Sequence, residues 1–250
     1  MLSKATIKFI KSLQVKKYRK QEQCFLVEGA KSVQELLTSD FDVVMVVGSP
    51  DFFSHLRAPL RGEAVETNAK MLEGLGEFQT NRSALAVARM KPNVPLYPNS
   101  SEYVVAVDDL KDPGNLGTII RTADWFGINK IVASSATADF YNPKVISATM
   151  GSFTRVQIFY TDLAEYLRDL GQPVYGAFLH GTDVHRVAFA PSGCILIGSE
   201  SHGISPALEP LVTEKVTIPR YGQAESLNAG MATAIICDNV RRSIGVGKPD

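Results

Sequence analysis

Cysteine, net charge and long apolar runs are scarce in this sequence, and each scarcity excludes a class of protein. The three cysteines, Cys24, Cys194 and Cys237, are far apart and lack CxxC spacing, which points to free thiols rather than disulfides or a metal site. The 26 basic and 26 acidic residues cancel, so a nucleic-acid partner must be met by a local patch. No run is long enough to cross a bilayer, and the N-terminus has no signal-peptide core. We therefore expect a soluble cytoplasmic protein.

Apolar residues, in contrast, are plentiful enough for two domains. They make up 45% of 250 residues, and a chain of this length suggests about two domains. The one clear linker is KPNVPLYPNSSE, where three prolines stand among asparagines and serines. We predict a first domain over residues 1–92, a linker over 93–102 and a second domain over 103–250.

The first twenty residues carry seven positive charges and no acid. The positive residues alternate with Leu2, Ile7, Ile10 and Leu13, which predicts a basic amphipathic helix followed by a basic turn. Such a helix is either a solvated surface or a contact for RNA phosphates, and the pattern does not separate the two. The residues that we assign to RNA binding are Lys16, Lys17, Arg19 and Lys20.

The rest of the first domain reads as a small α/β unit. Apolar runs, often β-branched, predict its strands, and apolar residues at helical spacing predict its helices. The predicted strands and helices are Cys24–Gly29, Ala30–Leu37, Val43–Val47, Asn68–Leu75 and Ala84–Ala88.

Strands and helices alternate through the second domain, which predicts a parallel sheet. Pro143 is placed to begin a helix, and Asp162 to cap one. The predicted strands are Tyr103–Val107, Lys130–Ala133, Arg155–Phe159, Pro173–Ala177, Cys194–Gly198 and Lys215–Ile218, and the predicted helices are Thr118–Phe126, Pro143–Met150, Leu163–Leu170, Pro206–Leu211 and Asn228–Ile244.

Three strand ends in this domain carry polar residues that suit chemistry. The first is DPGNLG, a predicted tight turn that contains Asn115 and is followed by Arg121 on a helix. The second is GSESHG, where Glu200 and His202 stand between Gly198 and Gly203. Either stretch alone is a weak signal, because a glycine-rich turn or a lone arginine is common at protein surfaces.

The third strand end is IPRYGQAESLN, in which a strand is stopped by a proline and polar residues lead into the closing helix. Ser226 or Asn228 can cap that helix, because a short side-chain oxygen accepts from first-turn amides. Ligands of parallel sheets sit at such strand–helix junctions. Taken alone, the stretch is equally explained by an ordinary capped helix.

In this order, the three stretches resemble the signature of the SpoU/TrmH-type RNA ribose methyltransferases. KKYR at Lys16–Arg19 and FLVEG at Phe25–Gly29 likewise resemble the ribosomal-protein-like RNA-binding domain of that family. The resemblance implies a trefoil-knotted α/β fold, S-adenosylmethionine as methyl donor, no metal, and a homodimer. It places the cofactor against Leu179, Gly181, Leu196, Gly198, Ile218 and Leu227.

The resemblance also implies a reaction, namely methylation of a ribose 2′-hydroxyl in ribosomal RNA or, less favoured, transfer RNA. The catalytic residues it assigns are Arg121, Asn115, Glu200, Ser226 and Asn228. Because a guanidinium stays protonated in proteins, we expect Arg121 to bind a phosphate and stabilise a developing alkoxide rather than act as a base. Asn115 and Asn228 would orient Arg121 and the ribose, while Glu200 would fix its loop or pair with Arg121.

Two other functions stay open, a base-nitrogen tRNA methyltransferase and a non-catalytic RNA-binding protein of ribosome assembly. A nicotinamide dehydrogenase is less favoured, because DPGNLG replaces the GxGxxG that such enzymes carry after the first strand. His202 departs from the family pattern, which often has a smaller or basic residue there, and we expect it to alter substrate contact. If the first domain only captures RNA, removal of residues 1–91 should leave a folded, cofactor-binding dimer.

Overall fold

Capping side chains mark where the helices of this computed structural model begin. The structure describes residues 2–245, so Met1 of the predicted basic helix and residues 246–250 of the predicted second domain lie outside the described residues. Ser3, Asn68 and Asn228, for example, each accept hydrogen bonds from first-turn amides. The helices are α1 (Lys4–Ser12), α2 (Lys16–Glu22), α3 (Ala30–Leu37), α4 (Pro50–Ser54), α5 (Ala69–Glu73), α6 (Pro113–Trp125), α7 (Pro143–Ala148), α8 (Leu163–Asp169) and α9 (Ala229–Ser243).

The strands form two separate sheets, one in each half of the chain. A four-stranded sheet has the order β1-β4-β2-β3, and a six-stranded sheet has the order β10-β8-β9-β5-β6-β7. The strands are β1 (Cys24–Glu28), β2 (Val43–Gly48), β3 (Glu63–Glu66), β4 (Ala84–Arg89), β5 (Tyr103–Val107), β6 (Lys130–Ser134), β7 (Gln157–Thr161), β8 (Val174–Asp183), β9 (Gly193–Ile197) and β10 (Glu214–Thr217).

The chain divides into two compact units that do not simply follow one another. The first unit contains Met1–Pro92 together with Asp139–Arg155, and the second contains the remaining residues from Asn93 onward. In the first unit, β4 pairs antiparallel with β1 and β2, and one face of this sheet packs on α1. The core there is built from fully buried side chains such as Leu26, Val87 and Ile10.

Residues Asp139–Arg155 are an integral part of the first unit's core. The rings of Tyr141 and Phe153 lie 4.7 and 6.1 Å from the ring of Phe25. The Arg19 guanidinium forms a 2.6 Å ion pair with Asp139. Removal of residues 1–91 would therefore expose these partners, and we expect the shortened chain to lose stability rather than fold unchanged.

The second unit has the parallel sheet that the sequence predicts. Every neighbouring pair in its six-stranded sheet is parallel. The chain order changes direction between β5 and β9, which lie side by side with Val107 opposite Ile197. In open parallel sheets, ligands bind outside the carboxyl ends of the strands at such a switch point. The topology therefore brings the loops after β5 and β9 together.

Several element boundaries differ from the prediction for local reasons. The helix predicted from Thr118 begins at Pro113, because Asp112 caps it and proline suits the first helical position. The predicted basic turn is instead the helix α2. The helix predicted over Pro206–Leu211 is reduced to a single 3-10 turn, since Pro210 cannot donate a backbone hydrogen bond. The short elements α4 and β3 were not predicted.

Candidate active site

The three polar stretches lie at the carboxyl ends of β5, β9 and β10. The loop after β5 leads into α6, and the loop after β9 runs from Gly198 to Gly203. The Asp108 N–H donates to the Ile197 carbonyl at 2.9 Å, which extends the pairing of β5 and β9 into these loops. The third stretch leaves β10 and ends at Asn228, the N-cap of α9.

A chain of side-chain hydrogen bonds joins the three stretches. Asn228 Nδ2 donates to Asn115 Oδ1 at 2.6 Å, and Asn115 Nδ2 donates to Glu200 Oε1 at 2.6 Å. One residue comes from each stretch, although 113 and 85 positions separate the bonded pairs along the chain. Asn115 therefore bonds to both Asn228 and Glu200. The predicted contact of Asn115 and Asn228 with Arg121 is not among the hydrogen bonds of the described residues.

Close packing of α6 against α9 makes the first of these bonds geometrically possible. Gly230, in the first turn of α9, faces Thr118 of α6, and a Cβ at Gly230 would lie 2.6 Å from Thr118 Cγ2. Any larger residue would push the two helices apart and move Asn228 away from Asn115. Gly230 is not among the site residues predicted from the sequence. Its only signal was a glycine inside a helix, which is common enough to be overlooked.

The loop after β9 closes on itself and holds Glu200 at its exposed tip. Ser199 and Gly203 exchange backbone hydrogen bonds of 2.9 and 3.0 Å. His202 Nδ1 lies 3.1 Å from Ser199 Oγ, and its Nε2 lies 3.6 Å from an oxygen of Asp109 in the loop after β5. His202 thus lies between the second loop and the first, while its effect on substrate stays a prediction.

Arg121 lies on an exposed part of α6, six residues after Asn115 and about 9 Å further along the helix axis. Among the described residues, no hydrogen bond or ion pair involves its guanidinium, and its predicted pairing with Glu200 is absent. A guanidinium left in solvent retains all five N–H donors for a ligand. This arrangement suits recognition of a phosphate or another anion.

The stretch between β10 and α9 presents polar side chains to solvent. Asn228, rather than Ser226, caps α9, and it accepts from the N–H groups of Gly230 and Met231 at 2.9 and 3.3 Å. Ser226 is exposed and makes no hydrogen bond within the described residues. Tyr221 is 96% exposed in the same loop. The loop therefore offers a hydroxyl and an aromatic ring to a ligand.

An irregularity in β8 brings three of the predicted cofactor residues together. Gly176 pairs with Lys215 and Thr182 with Val216, so the intervening residues of β8 form a bulge between two consecutive residues of β10. Thr217 Oγ1 donates to the Leu179 carbonyl at 3.0 Å, and Gly181 lies so close to β10 that a Cβ would be 2.3 Å from the Lys215 carbonyl. Ile218 follows directly after β10.

Two family models match this chain and together span most of it. The SpoU rRNA Methylase family matches residues 102–238, which is more than half of the chain, and the MRM3-like substrate binding domain matches residues 4–86. The chain belongs to the SpoU rRNA methylase family. The substrate-binding match lies within the first unit, whereas the SpoU match covers most of the second unit and also residues Asp139–Arg155 of the first.

Relatives align with the chain over nearly its full length. RlmP of Bacillus subtilis, named 23S rRNA (guanosine(2553)-2′-O)-methyltransferase, is 32% identical over 94% of this chain and 95% of its own. A TrmH-family RNA methyltransferase structure from Porphyromonas gingivalis is 38% identical, with a TM-score of 0.85 over 97% of this chain and 99% of its own. AviRb from Streptomyces viridochromogenes, solved in complex with AdoMet, is 25% identical, with a TM-score of 0.85 over 98% and 100%. The fold is therefore that of the SpoU/TrmH enzymes.

Two of the cofactor residues expected from the family resemblance have roles inside the fold. The Leu196 side chain is fully buried in the core beneath the sheet, so its side chain cannot touch a cofactor. Gly198 leaves no open space, because a Cβ there would lie 2.1 Å from the Gly203 carbonyl carbon. The glycine is required by its own returning loop. Leu227, in contrast, is 51% exposed beside the cap of α9.

One of the four predicted RNA-binding residues is wrong. Arg19 is 1% exposed, and its guanidinium donates to the carbonyls of Leu13 and Gln14 at 3.0 and 2.8 Å as well as to Asp139. It caps the end of α1 and cannot reach a phosphate. The lysines of α1 and α2 are all exposed, and none forms an ion pair within the described residues; they are Lys4, Lys8, Lys11, Lys16, Lys17 and Lys20.

Thiol chemistry has no place in the site. All three cysteines are buried and unpaired. Burial raises the pKa of Cys194 and of Cys237 to about 12, and it also raises the pKa of Cys24.

No helix in residues 2–245 has the length and apolar character needed to span a membrane.

Proposed function

We propose that this protein transfers a methyl group from S-adenosylmethionine to a ribose 2′-hydroxyl of RNA, with ribosomal RNA favoured over transfer RNA. The observation that carries the proposal is the hydrogen-bond chain from Asn228 through Asn115 to Glu200. It gathers one polar side chain from each family motif at the switch point of a parallel sheet. RlmP is named for the same reaction on 23S rRNA, which supports the ribosomal substrate.

The methyl donor would be held by the bulge of β8 and the stretch after β10. Leu179 is 69% exposed there, and Leu227 is half exposed, so apolar side chains are available to cover an adenosine. Ile218, Gly181 and the backbone of the Gly198 loop complete the set. When bound, S-adenosylmethionine supplies an electrophilic methyl group.

Arg121 would position the RNA. A 2′-hydroxyl is a weak nucleophile, so the enzyme must hold it in line and stabilise the negative charge that develops on it. The free guanidinium of Arg121 can bind the phosphate next to the ribose and lie near the developing charge. The hydroxyl proton would leave to that phosphate, to Ser226 or to water, because Arg121 itself stays protonated.

The lysines of α1 and α2 would bind RNA phosphates in the first unit. In a chain of zero net charge, six exposed lysines that form no ion pair with any residue of 2–245 concentrate positive charge on two helices that follow one another in the chain. Phosphate contacts of this kind supply affinity and register rather than sequence specificity. Lys16, Lys17 and Lys20 are the members of this set that the sequence analysis assigned to RNA.

The active form would be a cytoplasmic homodimer that uses α6 and α9. Trp125 at the end of α6 is 84% exposed, and Met231 on α9 is 57% exposed. Exposed apolar surface marks an interface where it forms a contiguous patch, and a dimer would remove both side chains from water. Sedimentation at micromolar concentration should give twice the mass of one chain, and a monomer would contradict the dimer.

Transfer of labelled methyl groups to RNA tests the reaction itself. Purified protein, labelled S-adenosylmethionine and ribosomal or transfer RNA are incubated with and without a chelator, and the RNA is digested to nucleosides. We expect label in 2′-O-methylribose of ribosomal RNA, unaffected by the chelator. Label in a base would favour the base-nitrogen methyltransferase. RNA binding without any transfer would favour the ribosome-assembly protein.

A further inference from the structure

The hydrogen bonds around Asn228 can run in only one direction. Backbone N–H groups only donate, so the oxygen of the Asn228 side chain must face Gly230 and Met231. Its nitrogen therefore faces Asn115, which must present its oxygen to Asn228 and its nitrogen to Glu200. The cap of α9 thus determines the orientation of both amides, which the bond lengths alone would not do.

Glu200 is the acceptor at the end of this chain. Its Oε1 accepts from Asn115 Nδ2, and this hydrogen bond fixes one side of the carboxyl group. No hydrogen bond within the described residues reaches the second oxygen, Oε2, and the residue lies at the exposed tip of its loop. Glu200 is thus held on one side and free to accept on the other.

We propose that Asn228 and Asn115 are positioning residues, which form a one-way relay that presents the free oxygen of Glu200 to the ribose hydroxyl as a hydrogen-bond acceptor. The proposal rests on the proposed function, since it assigns Glu200 a partner in that reaction. Glu200 is the residue of the relay that touches substrate. Asn115 and Asn228 act through it, and Asn228 couples the relay to the start of α9.

A simpler role for the three residues is a staple that only holds the loops together. The staple needs two hydrogen bonds of any polarity, whereas the relay needs an acceptor facing the substrate. Replacement of one polar atom by another of the same size separates the two roles, because it changes polarity while it keeps the shape.

Asn228→Asp keeps the helix cap and removes the donor to Asn115. A carboxylate is a good N-cap and suits the positive end of the helix, so the melting temperature should not fall. Loss of the donor frees the Asn115 amide to turn, and kcat should fall about tenfold, the scale of a slightly misplaced catalytic group. Asn68→Asp is the matched control, because Asn68 caps α5 in the same way and lies outside the relay.

Glu200→Gln and Asn115→Asp test the polarity directly. In Glu200→Gln, the oxygen still accepts from Asn115 and the nitrogen faces the ribose, so kcat should fall about 10²-fold. Cofactor affinity and melting temperature should stay unchanged. The double variant combines Asn115→Asp with Glu200→Gln. Its carboxylate at position 115 accepts from Asn228 and also from the amide nitrogen at position 200. The amide oxygen at position 200 therefore faces the ribose again. The double variant should therefore recover about tenfold over Glu200→Gln, although Asn115→Asp alone is harmful.

The outcomes separate the relay from the proposed function. Near-normal kcat in Glu200→Gln, or a double variant no better than Glu200→Gln, would overturn the relay while wild-type methylation of RNA continues. A fall in melting temperature that accompanies every loss of activity would assign the three residues to a staple. A wild-type chain that methylates no ribose would overturn the proposed function, and the relay with it.

Discussion

The family motifs of the two units differ in what their residues do. In the first unit, Arg19 and Phe25 belong to the stretches that resemble the family, and both are fully buried. In the second unit, the matching residues Arg121, Glu200 and Ser226 are exposed, Arg121 on α6 and the other two in loops. The first set builds a fold, and the second set is free to meet a ligand.

The difference teaches that a residue's place in a family pattern does not reveal its role until burial is known. A buried charge must be paired and hydrogen-bonded, and Arg19 meets this need with Asp139 and two carbonyls. An exposed charge without a partner has no such structural need. In the first unit, the residues of this second kind are lysines, of which Lys4, Lys8 and Lys11 lie outside the family pattern.

Arg19→Ala is expected to have the largest effect. It leaves the Asp139 carboxylate without its ion-pair partner, and the Asp139 side chain is only 14% exposed. Loss of one member of a buried pair costs about 3–5 kcal/mol of unfolding free energy. Chemical denaturation of the full-length chain measures the loss. Lys17→Ala, two residues earlier in the same helix, should leave stability within about 0.5 kcal/mol. Equal stability of the two variants would show that the buried pair does not stabilise the fold.

Arg121→Ala should abolish most activity and leave the fold intact. Removal of a preorganised charge donor costs about 10²–10³ in kcat, whereas the melting temperature should not change, because no bond of Arg121 is lost within the described fold. Arg121→Lys should also be poor, since a point charge cannot reproduce the planar fork. Single-turnover methylation and calorimetric cofactor binding measure the two properties separately. Normal turnover by Arg121→Ala would remove Arg121 from the mechanism.

Replacement of Lys16, Lys17 and Lys20 by alanine should weaken RNA binding about tenfold without a change in stability. Each lost phosphate contact lowers the slope of log affinity against log salt by about 0.7–0.9, so the slope should fall by about 2–3. A salt titration of RNA binding measures it. The affected quantity should be the affinity for RNA, with kcat at saturating RNA preserved.

The matched control removes three positive charges elsewhere in the first unit. Lys70, Arg82 and Lys144 are suitable, because Arg82 and Lys144 already pair with Glu73 and Glu77. In this control, the slope of log affinity against log salt should differ from the wild-type slope by less than about 1. Equal slopes in the two triple variants would mean that net charge, and not the α1–α2 surface, governs RNA binding.

The alternation of apolar runs was enough to predict the parallel sheet of the second unit and the capped closing helix. It could not predict that Asp139–Arg155 joins the first unit, because that depends on aromatic contacts between positions more than a hundred residues apart. Nor could it separate Arg19 from Lys20, since two adjacent basic residues look alike until the helix places one inside. The start of α6 was misplaced because Asp112–Pro113 was interpreted as a turn rather than as a cap and first helical residue.

The site was predicted as a set of residues but not as a connected network. Asn115, Glu200 and Asn228 were selected from three separate stretches, and the bonds between them follow from the closeness of β5 and β9 and of α6 and α9. Gly230 allows the close approach of α6 and α9, and a glycine inside a helix does not by itself predict that role. Leu196 was assigned to the cofactor through the resemblance, yet its side chain points into the core.

Replacement of Glu28 is expected to have the smallest effect. Glu28 lies in the FLVEG stretch, so it tests at a second position whether the family-like residues of the first unit have a structural role. Its carboxylate accepts from the N–H groups of Glu77 and Phe78 at 2.9 and 3.3 Å and so holds their loop. Burial nevertheless raises its pKa above the ordinary value, and this effect outweighs the opposing hydrogen bonds. The folded state therefore binds a proton to Glu28 more readily than the unfolded state does.

The sign of the pH dependence follows from that raised pKa. The stabilisation from protonated Glu28 is fully present below the unfolded pKa and is lost as the pH rises through the folded pKa. Glu28→Gln mimics the protonated form, so the melting temperature of the wild type relative to this variant should fall as the pH rises from about 4 to 7. The change should stay within about 2–4 °C, the shift that roughly 1 kcal/mol produces in a chain of this size. Glu66→Gln, on the exposed strand β3, should show no such trend. If Glu28→Gln lost most stability at neutral pH, the carboxylate would be the stabilising form, and the partly buried Glu28 would act as a charged acceptor.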